Sequence, residues 1–519
     1  MKKGLFYFGM TLLGASLIVG CGDSATKGET TGTDSSASAG LPYTIQVDEV
    51  TIAGMPDLHS YTHAIYGDKM VMFGGRTSGL HSFGYAFLTT KSNLHVYVVD
   101  TKGWADPTTW TVDSLPISKV GRKGPNKNFV DLRQLGANNA EFFTQNNTLY
   151  VLGGLLSADN SNDSPITLPY FTAIDLPGLI DCVVSKGKNS MGYDAIRQVK
   201  DTSFALTGGE ISVMNNVVNL VFGWNYTSAS DYYSHQVKTF TFTDSNGTLS
   251  AGPITSWNDG HSNGVDSVNE GFFRRRDGSM SAMIDPADGS NFLLYYGGVF
   301  KEGATNFTSP VWINATGATE QNFMMRSNVY TCQVIPVYSS SKKESYATLL
   351  GGIKNANYTG PKPLTGPTVL TASNADTMTR DVNNFLNVPF TNQFTTIRIN
   401  ANHEFTQYLL PDSFPVLKYA ITLPPDTAPY NQPLVLPAGT VMYNGAESEM
   451  YWNLNGKYLM SNGVVNYDVL MGDSISGATV GYLHGGILSS KPNVLTTNSN
   501  HFSVASNRLF RVRIVPLAN

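Results

Sequence analysis

From residue 41 onward the chain repeats one pattern: a polar turn, a short run of consecutive apolar residues, then a glycine pair. The runs read VMFGG (Val71 to Gly75), YVLGG (Tyr150 to Gly154), LVFGW (Leu220 to Trp224), LYYGG (Leu294 to Gly298), TLLGG (Thr348 to Gly352) and YLMSNG (Tyr458 to Gly463). Their intervals are irregular while the motif is constant, which points to one supersecondary unit repeated with loops of variable length. The turns before them are Gly67-Asp68, Asn146-Asn147, Asn215-Asn216, Asp288-Gly289, Ser339-Ser340-Ser341 and Asn455-Gly456. Asn, Asp and Gly tolerate the positive φ of tight hairpins, so each unit is expected to hold an antiparallel hairpin whose second strand ends at the glycines.

Alternating segments follow in most units: LHVYVVD (Leu94 to Asp100), YFTAIDL (Tyr170 to Leu176), VKTFTFT (Val237 to Thr243), FTTIRIN (Phe394 to Asn400) and LFRVRIV (Leu509 to Val515), with VWIN (Val311 to Asn314) in the fourth unit. WTVDSLP, ending at Pro116, and FTQYLLP, ending at Pro411, supply a last strand for two units. Four strands per unit and six units make an all-β, six-bladed propeller, in which radial closure hides the sheet edges. The chain stops one strand short of a complete sixth unit, and YTIQVDEVTIAG (Tyr43 to Gly54) precedes the first hairpin with strand character. The N-terminal strand is therefore expected to close the last blade. Seven blades are the alternative, with GYLHGGIL (Gly481 to Leu488) as the extra repeat. Three long insertions, at 353–393, 411–440 and 464–507, are the places where binding function would concentrate on such a scaffold.

With its hydrophobic strand and Gly-Gly pair, and with Trp110 at the position of a later Trp in the first unit, the region 41–519 resembles the kelch-repeat family of β-propellers, the fold of the galactose oxidase central domain. That resemblance implies architecture and says little about function.

The first forty residues have a different character. Lys2 and Lys3 precede the apolar run Gly4 to Gly20, which ends in Ile18-Val19-Gly20-Cys21, the layout of a secretory signal with a small-residue processing site. The tetrad resembles a bacterial lipobox, which implies a signal peptide over 1–20 and lipidation of Cys21. Residues 22–40 contain no large apolar side chain and are expected, with Cys21, to form a flexible tether. The resulting address is the cell envelope, lipid-anchored, with the outer membrane as the default and its periplasmic or surface face open. The remaining cysteines, Cys182 and Cys332, fall in different repeats and are expected to be buried free thiols.

Composition narrows the partners. Hydrophobic residues make up 41% and charged residues 14%, and 34 Lys and Arg stand against 39 Asp and Glu with no long basic run. No electrostatic footprint for a phosphate backbone exists, so nucleic acid is excluded as a partner. The partners expected are the membrane, through the lipid, and an envelope protein or glycan.

Aligned on their turns, the hairpins place His63, Glu141, Glu210 and Glu449 at nearly one level of the first strand, the strand that lines the channel of a propeller. Just upstream lie His59, Asn138, Asn139, Arg276, Asp277, Arg326, Asn328 and Glu447. Clustered carboxylates in a partly dry channel raise one another's pKa or hold a cation. The ligand-binding candidates are His63, Asn139, Glu141, Glu210, Arg276, Asp277, Arg326 and Glu449, with no catalytic residue, metal or cofactor assigned. Within Arg274-Arg275-Arg276, strand alternation lets at most two side chains converge. Asp285 to Asn291 is a hairpin turn rather than a calcium loop. The sequence lacks a GxSxG elbow, HExxH, a P-loop and GxGxxG after a strand. The expectation is a protein- or glycan-binding module working through loops and channel mouth. The alternative is a carbohydrate-active enzyme, similar to the kelch-like sialic-acid mutarotases or epimerases or a hydrolase, using the channel-mouth carboxylates.

Overall fold

The computed structural model describes residues 40–517, apart from 81–91, 122–129, 158–164, 228–229, 260–270, 302–305, 378–388, 426–431, 455, 475 and 493–501. The expected leader, Cys21 and nearly all of the tether lie outside the described residues. Residues Leu41–Asn519 form one compact unit. Among the described residues no helix is long and apolar enough to cross a membrane.

Six sheets of four or more strands make the body, and each is one blade of a six-bladed β-propeller. From the inside outward, blade one is Thr62–Tyr66, Lys69–Phe73, His95–Asp100 and Thr111–Pro116. Blades two, three, four and five start from inner strands Glu141–Gln145, Glu210–Met214, Ser279–Ile284 and Gln333–Ser339. Blade six runs Ser448–Trp452, Ala478–Gly485 and Leu509–Pro516, with Tyr43–Val50 as its outermost strand. The N-terminal strand thus closes the ring, antiparallel to the C-terminal one from Tyr43 opposite Pro516 to Val50 opposite Leu509.

The second strands are apolar at consecutive positions because both faces of each blade are buried. Alternate side chains of Lys69–Phe73 go to opposite neighbours. Met70 and Met72 pack with Tyr451, Tyr482 and Leu509 of blade six, while Val71 and Phe73 pack with Leu149 and Val151 of blade two. The same division around the ring gives one apolar cluster at each of the six blade junctions. At about 25 cal/mol per Å² of buried apolar surface these junctions are the main stabilising term.

The glycine pairs have a specific structural task. At Gly297-Gly298 both residues have positive φ, 65° and 105°, and a Cβ on Gly297 would stand 2.4 Å from the carbonyl oxygen of Val329. Only glycine lets the lead-in to the next blade come so close, and Gly298 N donates to that carbonyl at 2.8 Å. Gly75, Gly154, Gly223 and Gly486 make the corresponding bond to Ala137, Leu206, Arg275 and Leu58. In blade three Phe222 (φ 58°) takes the first position of the pair, and its ring packs against Phe273 and Tyr295 at 5.0 and 4.7 Å.

Blade six corrects the sequence assignment. Tyr458 to Gly463 is not its second strand, and Asn455-Gly456 is not its hairpin turn. Its glycine pair is Gly485-Gly486, inside the segment that suggested a seventh repeat, and 464–507 is therefore not a single insertion. Between its first two strands the chain makes an excursion. Asn462 bonds Met283 O and Asn291 Oδ1 of blade four, Val465 pairs with Val337 of blade five, and Asp468, on the helix Tyr467–Asp473, accepts from Ser339, Ser340 and Ser341. This excursion crosses the turn end of blades four and five. At the opposite, glycine-pair end rise small hairpins from the second-to-third-strand connections: Leu155–Ser157 with Pro165–Thr167, Trp224–Thr227 with Ser230–Tyr233, Ala356–Tyr358 with Ala375–Thr377, and Ile487–Ser489 with Ser503–Ala505. Cys182, on the helix Leu176–Val184, and Cys332 are both buried and free.

Candidate functional site

The residues entering each inner strand form a closed belt of backbone hydrogen bonds around the axis. Asn139 N donates to Ser60 O (3.0 Å), Gly208 N to Asn139 O (3.2 Å), Asp277 N to Gly208 O (2.7 Å), Thr331 N to Asp277 O (2.9 Å), Glu447 N to Thr331 O (2.9 Å) and Ser60 N to Glu447 O (3.4 Å). Five of these six residues have positive φ: Ser60, Asn139, Gly208, Asp277 and Glu447. Non-glycine residues held there cost about 1–3 kcal/mol each, and such strain gathers at sites where geometry matters more than stability.

Glu447 is the hub of this mouth layer. Its Oε2 accepts from Ser60 Oγ at 2.9 Å and Asn139 Nδ2 at 3.1 Å, and its Oε1 accepts from the Tyr330 hydroxyl. Burial, then the charge of Asp277, pushes the carboxyl up to about 7 despite those donors. Arg76 stands near enough to interact with Glu447 electrostatically. Beyond Ser60 lies His59, whose Nδ1 is 2.7 Å from Ser60 Oγ and whose Nε2 is 2.8 Å from Ser78 O. A carbonyl only accepts, so Nε2 carries a proton. Ser60 has one proton to give. If it goes to Glu447, His59 Nδ1 is protonated as well. If it goes to His59, Glu447 is the acid. One proton is therefore shared along His59, Ser60 and Glu447.

A second layer lies two residues further along each inner strand. Its members are Thr62, Glu141, Glu210, Ser279, Gln333 and Glu449, each opposite the residue that precedes the glycine-pair position of its blade. Glu141 is 96% buried, and its Oε1 accepts from Gly209 N of blade three at 2.8 Å while its Oε2 has no hydrogen-bond partner among the described residues. Burial pushes it up to about 8. Burial raises Glu210 too, aided by Glu141, Glu447 and Asp277, and raises Glu449, aided by Glu210 and Glu447. Gln333 Nε2 donates to Glu449 Oε2 at 3.0 Å.

His63 falls one residue out of the expected level, and Thr62 takes its place in that layer, because a one-residue shift on a strand reverses the face. The His63 ring packs between Phe142 (4.9 Å) and Tyr451 (4.8 Å), with Nδ1 3.4 Å from Glu449 Oε2. Burial lowers His63 to about 4 and raises Glu449, so His63 is uncharged near neutral pH and burial disfavours the charged form of both partners in this contact. His63, Phe142, Met450 and Trp452 help to line a cavity of about 250 Å³.

The arginines divide as alternation requires. Arg275 is fully buried and bonds Gly297 O, Ser309 O and Glu320 Oε1. Arg276 lies over Trp224 (4.2 Å) and Phe300 (4.4 Å), with Nε 3.5 Å from Asp277 Oδ2. Arg326 does not join the cluster. Its backbone N–H donates to Gln407 Oε1, its Nη1 sits 3.8 Å from Met324 Sδ, and among the described residues no ion pair links it to the channel. Asn328 is a latch, holding Gly351 O and Gln393 O. Asp285 to Asn291 is a turn closed by Asp285 on Ala287 N and Asp288 on Ser290 N. The structure thus brings Asn139, Glu141, Glu210, Arg276, Asp277 and Glu449 to one channel, joins to them His59 and Glu447, which the sequence set just upstream, and adds Ser60, Arg76, Trp224 and Tyr330. Among the described residues no group of three or more His, Cys, Asp or Glu is arranged to hold a metal ion.

No family model and no curated protein matches the chain. Among solved structures, one titled "Structure of YjhT" aligns with 88% of this chain and 97% of its own at 11% identity, with a TM-score of 0.39.

Proposed function

We propose that the chain is a cell-envelope lipoprotein, anchored by lipid on Cys21 to the outer membrane, whose kelch-like propeller binds a glycan at the channel mouth. The observation that supports this most directly is the mouth layer: Ser60, Asn139, Tyr330 and Glu447 join donors and acceptors in one network at the end where the strand-connecting hairpins rise. Sugar hydroxyls both donate and accept, and a concave polar site flanked by aromatic side chains suits them. Trp224, Phe300 and Tyr330 supply those side chains. The test is a glycan array with soluble residues 41–519, repeated with Glu141, Glu210 and Glu449 changed together to Gln. Binding lost without a lower melting temperature supports the channel as the site. A bound envelope protein that ignores the change would move the function to the loops.

A second reading, a carbohydrate-active enzyme of mutarotase, epimerase or hydrolase type, is favoured by one feature. The proton shared among His59, Ser60 and Glu447 is what a general acid–base step needs. Mutarotation or hydrolysis of the sugar found on the array, abolished by Glu447→Gln, is its test.

A further inference from the structure

The deeper layer of the channel holds an acceptor that the described residues do not use. Glu141 Oε2 is buried without a hydrogen-bond partner among the described residues. Glu210 lies between Glu141 and Glu449 electrostatically, since it is raised by the first and raises the second. Among the described residues no ion pair reaches Glu210, and Glu449 takes a hydrogen bond from Gln333 and lies beside His63, which is uncharged near pH 7. The neighbouring bases are engaged elsewhere. Lys238 Nζ donates to Ser203 O at 2.8 Å and reaches Glu141 only through its charge, which lowers that carboxyl less than burial raises it; Arg276 lies beside Asp277, and Arg76 faces Glu447. A buried acceptor without a donor costs about 1–3 kcal/mol, so a ligand that supplies donors here recovers that loss.

We propose that the group entering this layer is a primary ammonium, carried on an amino sugar, which donates to Glu141 Oε2, Glu210 and Glu449. An ammonium has three donors and no acceptor, which suits the unmatched Glu141 Oε2 with the carboxyls of Glu210 and Glu449 on the same level of the channel, Glu449 Oε2 already taking one bond from Gln333. It bonds at about 2.7–2.9 Å and accepts a looser cage than a metal ion, for which these residues are not arranged. The inference rests on the glycan reading and names the kind of sugar.

Proton linkage follows. Glu141, Glu210, Glu449, Glu447 and Asp277 are all raised by burial first, so without a cation they retain protons to higher pH than free carboxyls. A bound ammonium favours their ionised forms and expels protons. Of the other titratable groups facing the layer, His63 is uncharged near pH 7, Tyr61, Tyr330 and Tyr451 are raised well above their ordinary range, and Lys238, lowered by burial to about 8, is the base whose charge opposes the ammonium at Glu141.

The test is calorimetric titration of the full chain in detergent with glucosamine, N-acetylglucosamine, methylammonium and a lysine peptide. Expected are at least tenfold tighter binding of glucosamine than of its N-acetyl form, affinity rising from pH 5 to 7, and an enthalpy that varies with the ionisation enthalpy of the buffer. Glu210→Gln, checked for an unchanged melting curve, should lose most of the discrimination. Because the two sugars are compared on the unaltered protein, the result stands even if the variant folds poorly. Equal binding of both sugars overturns the ammonium and leaves the glycan reading intact. Methylammonium and a lysine peptide binding without either sugar overturn the amino sugar and the glycan reading together. No binding of glucosamine or methylammonium overturns the proposal outright.

Discussion

The two layers of the channel stand two residues apart on the same strands and treat a buried carboxyl in opposite ways. Glu447, in the mouth layer, receives three side-chain donors and so helps to tie blades one, two, five and six together. Glu141, in the deeper layer, receives one backbone N–H and leaves an oxygen unmatched. Burial is alike in both, each side chain being about 4% exposed. The number of donors differs, and it separates a carboxyl that belongs to the framework from one that waits for something outside the protein.

Removing the framework carboxyl should produce the largest effect. Glu447→Leu leaves Ser60, Asn139 and Tyr330 without their acceptor and Arg76 without its countercharge. Breaking a buried charged network by deleting one partner costs about 3–5 kcal/mol. Urea denaturation should register that loss, and Glu447→Gln, which keeps one accepting oxygen, should lose less. If Glu447→Leu costs under 1 kcal/mol, the distinction between the layers fails.

The deeper layer should show itself through pH. Glu141 rises from its ordinary 4.5 to about 8 in the fold. Its folded form binds a proton that the unfolded form has released, so its contribution to stability is complete below pH 4.5 and is lost as pH rises through 8. The slope is about 1.4 kcal/mol per pH unit for one proton. Glu141→Gln should flatten the stability curve in that window. An unchanged slope would mean that Glu141 is ionised in the fold.

His63 carries the opposite sign. Lowered from 6.5 to about 4, it contributes stability present above pH 6.5 and lost as pH falls through 4. His63→Phe retains ring packing against Phe142 and Tyr451, so it should change stability at pH 7 by no more than about 1 kcal/mol while removing acid sensitivity between pH 6.5 and 4. A larger loss at pH 7 would show that the contact with Glu449 is ionic after all.

The blades were legible because a glycine pair and a hairpin turn are local chemistry. Five of six units can be found from a short window of residues. Blade six defeats that window because the 453–477 excursion separates its first two strands, leaving LHGG far from any hairpin turn. The site was legible one position at a time. Glu141, Glu210 and Glu449 share a level set by strand alternation, whereas His63 required a register that only the opposite partner of each residue establishes. Tyr330 and Arg76 carry a weaker signal: one directly precedes a belt residue and the other directly follows a glycine pair. What no sequence shows is that six lead-ins donate to one another in a circle, since every such bond joins residues from different blades.

The smallest effect belongs to the residue that sequence placed in the site and the structure placed outside it. Arg326 holds the fold by its backbone, through Gln407 and through Asn355 and Ala356, whose N–H groups donate to its carbonyl at 3.0 and 2.8 Å. Its guanidinium meets the exposed Met324, so truncation removes no buried partner. Arg326→Ala should change stability by less than about 0.5 kcal/mol. It should also leave sugar affinity and the pH dependence of stability where they were. Glu447→Leu, only one blade entry away around the ring, is expected to cost several-fold more than that. If Arg326→Ala instead weakened binding as strongly as Glu210→Gln, the ligand would have to reach beyond the channel to the blade-five rim. The line between the two layers would then no longer mark the edge of the site.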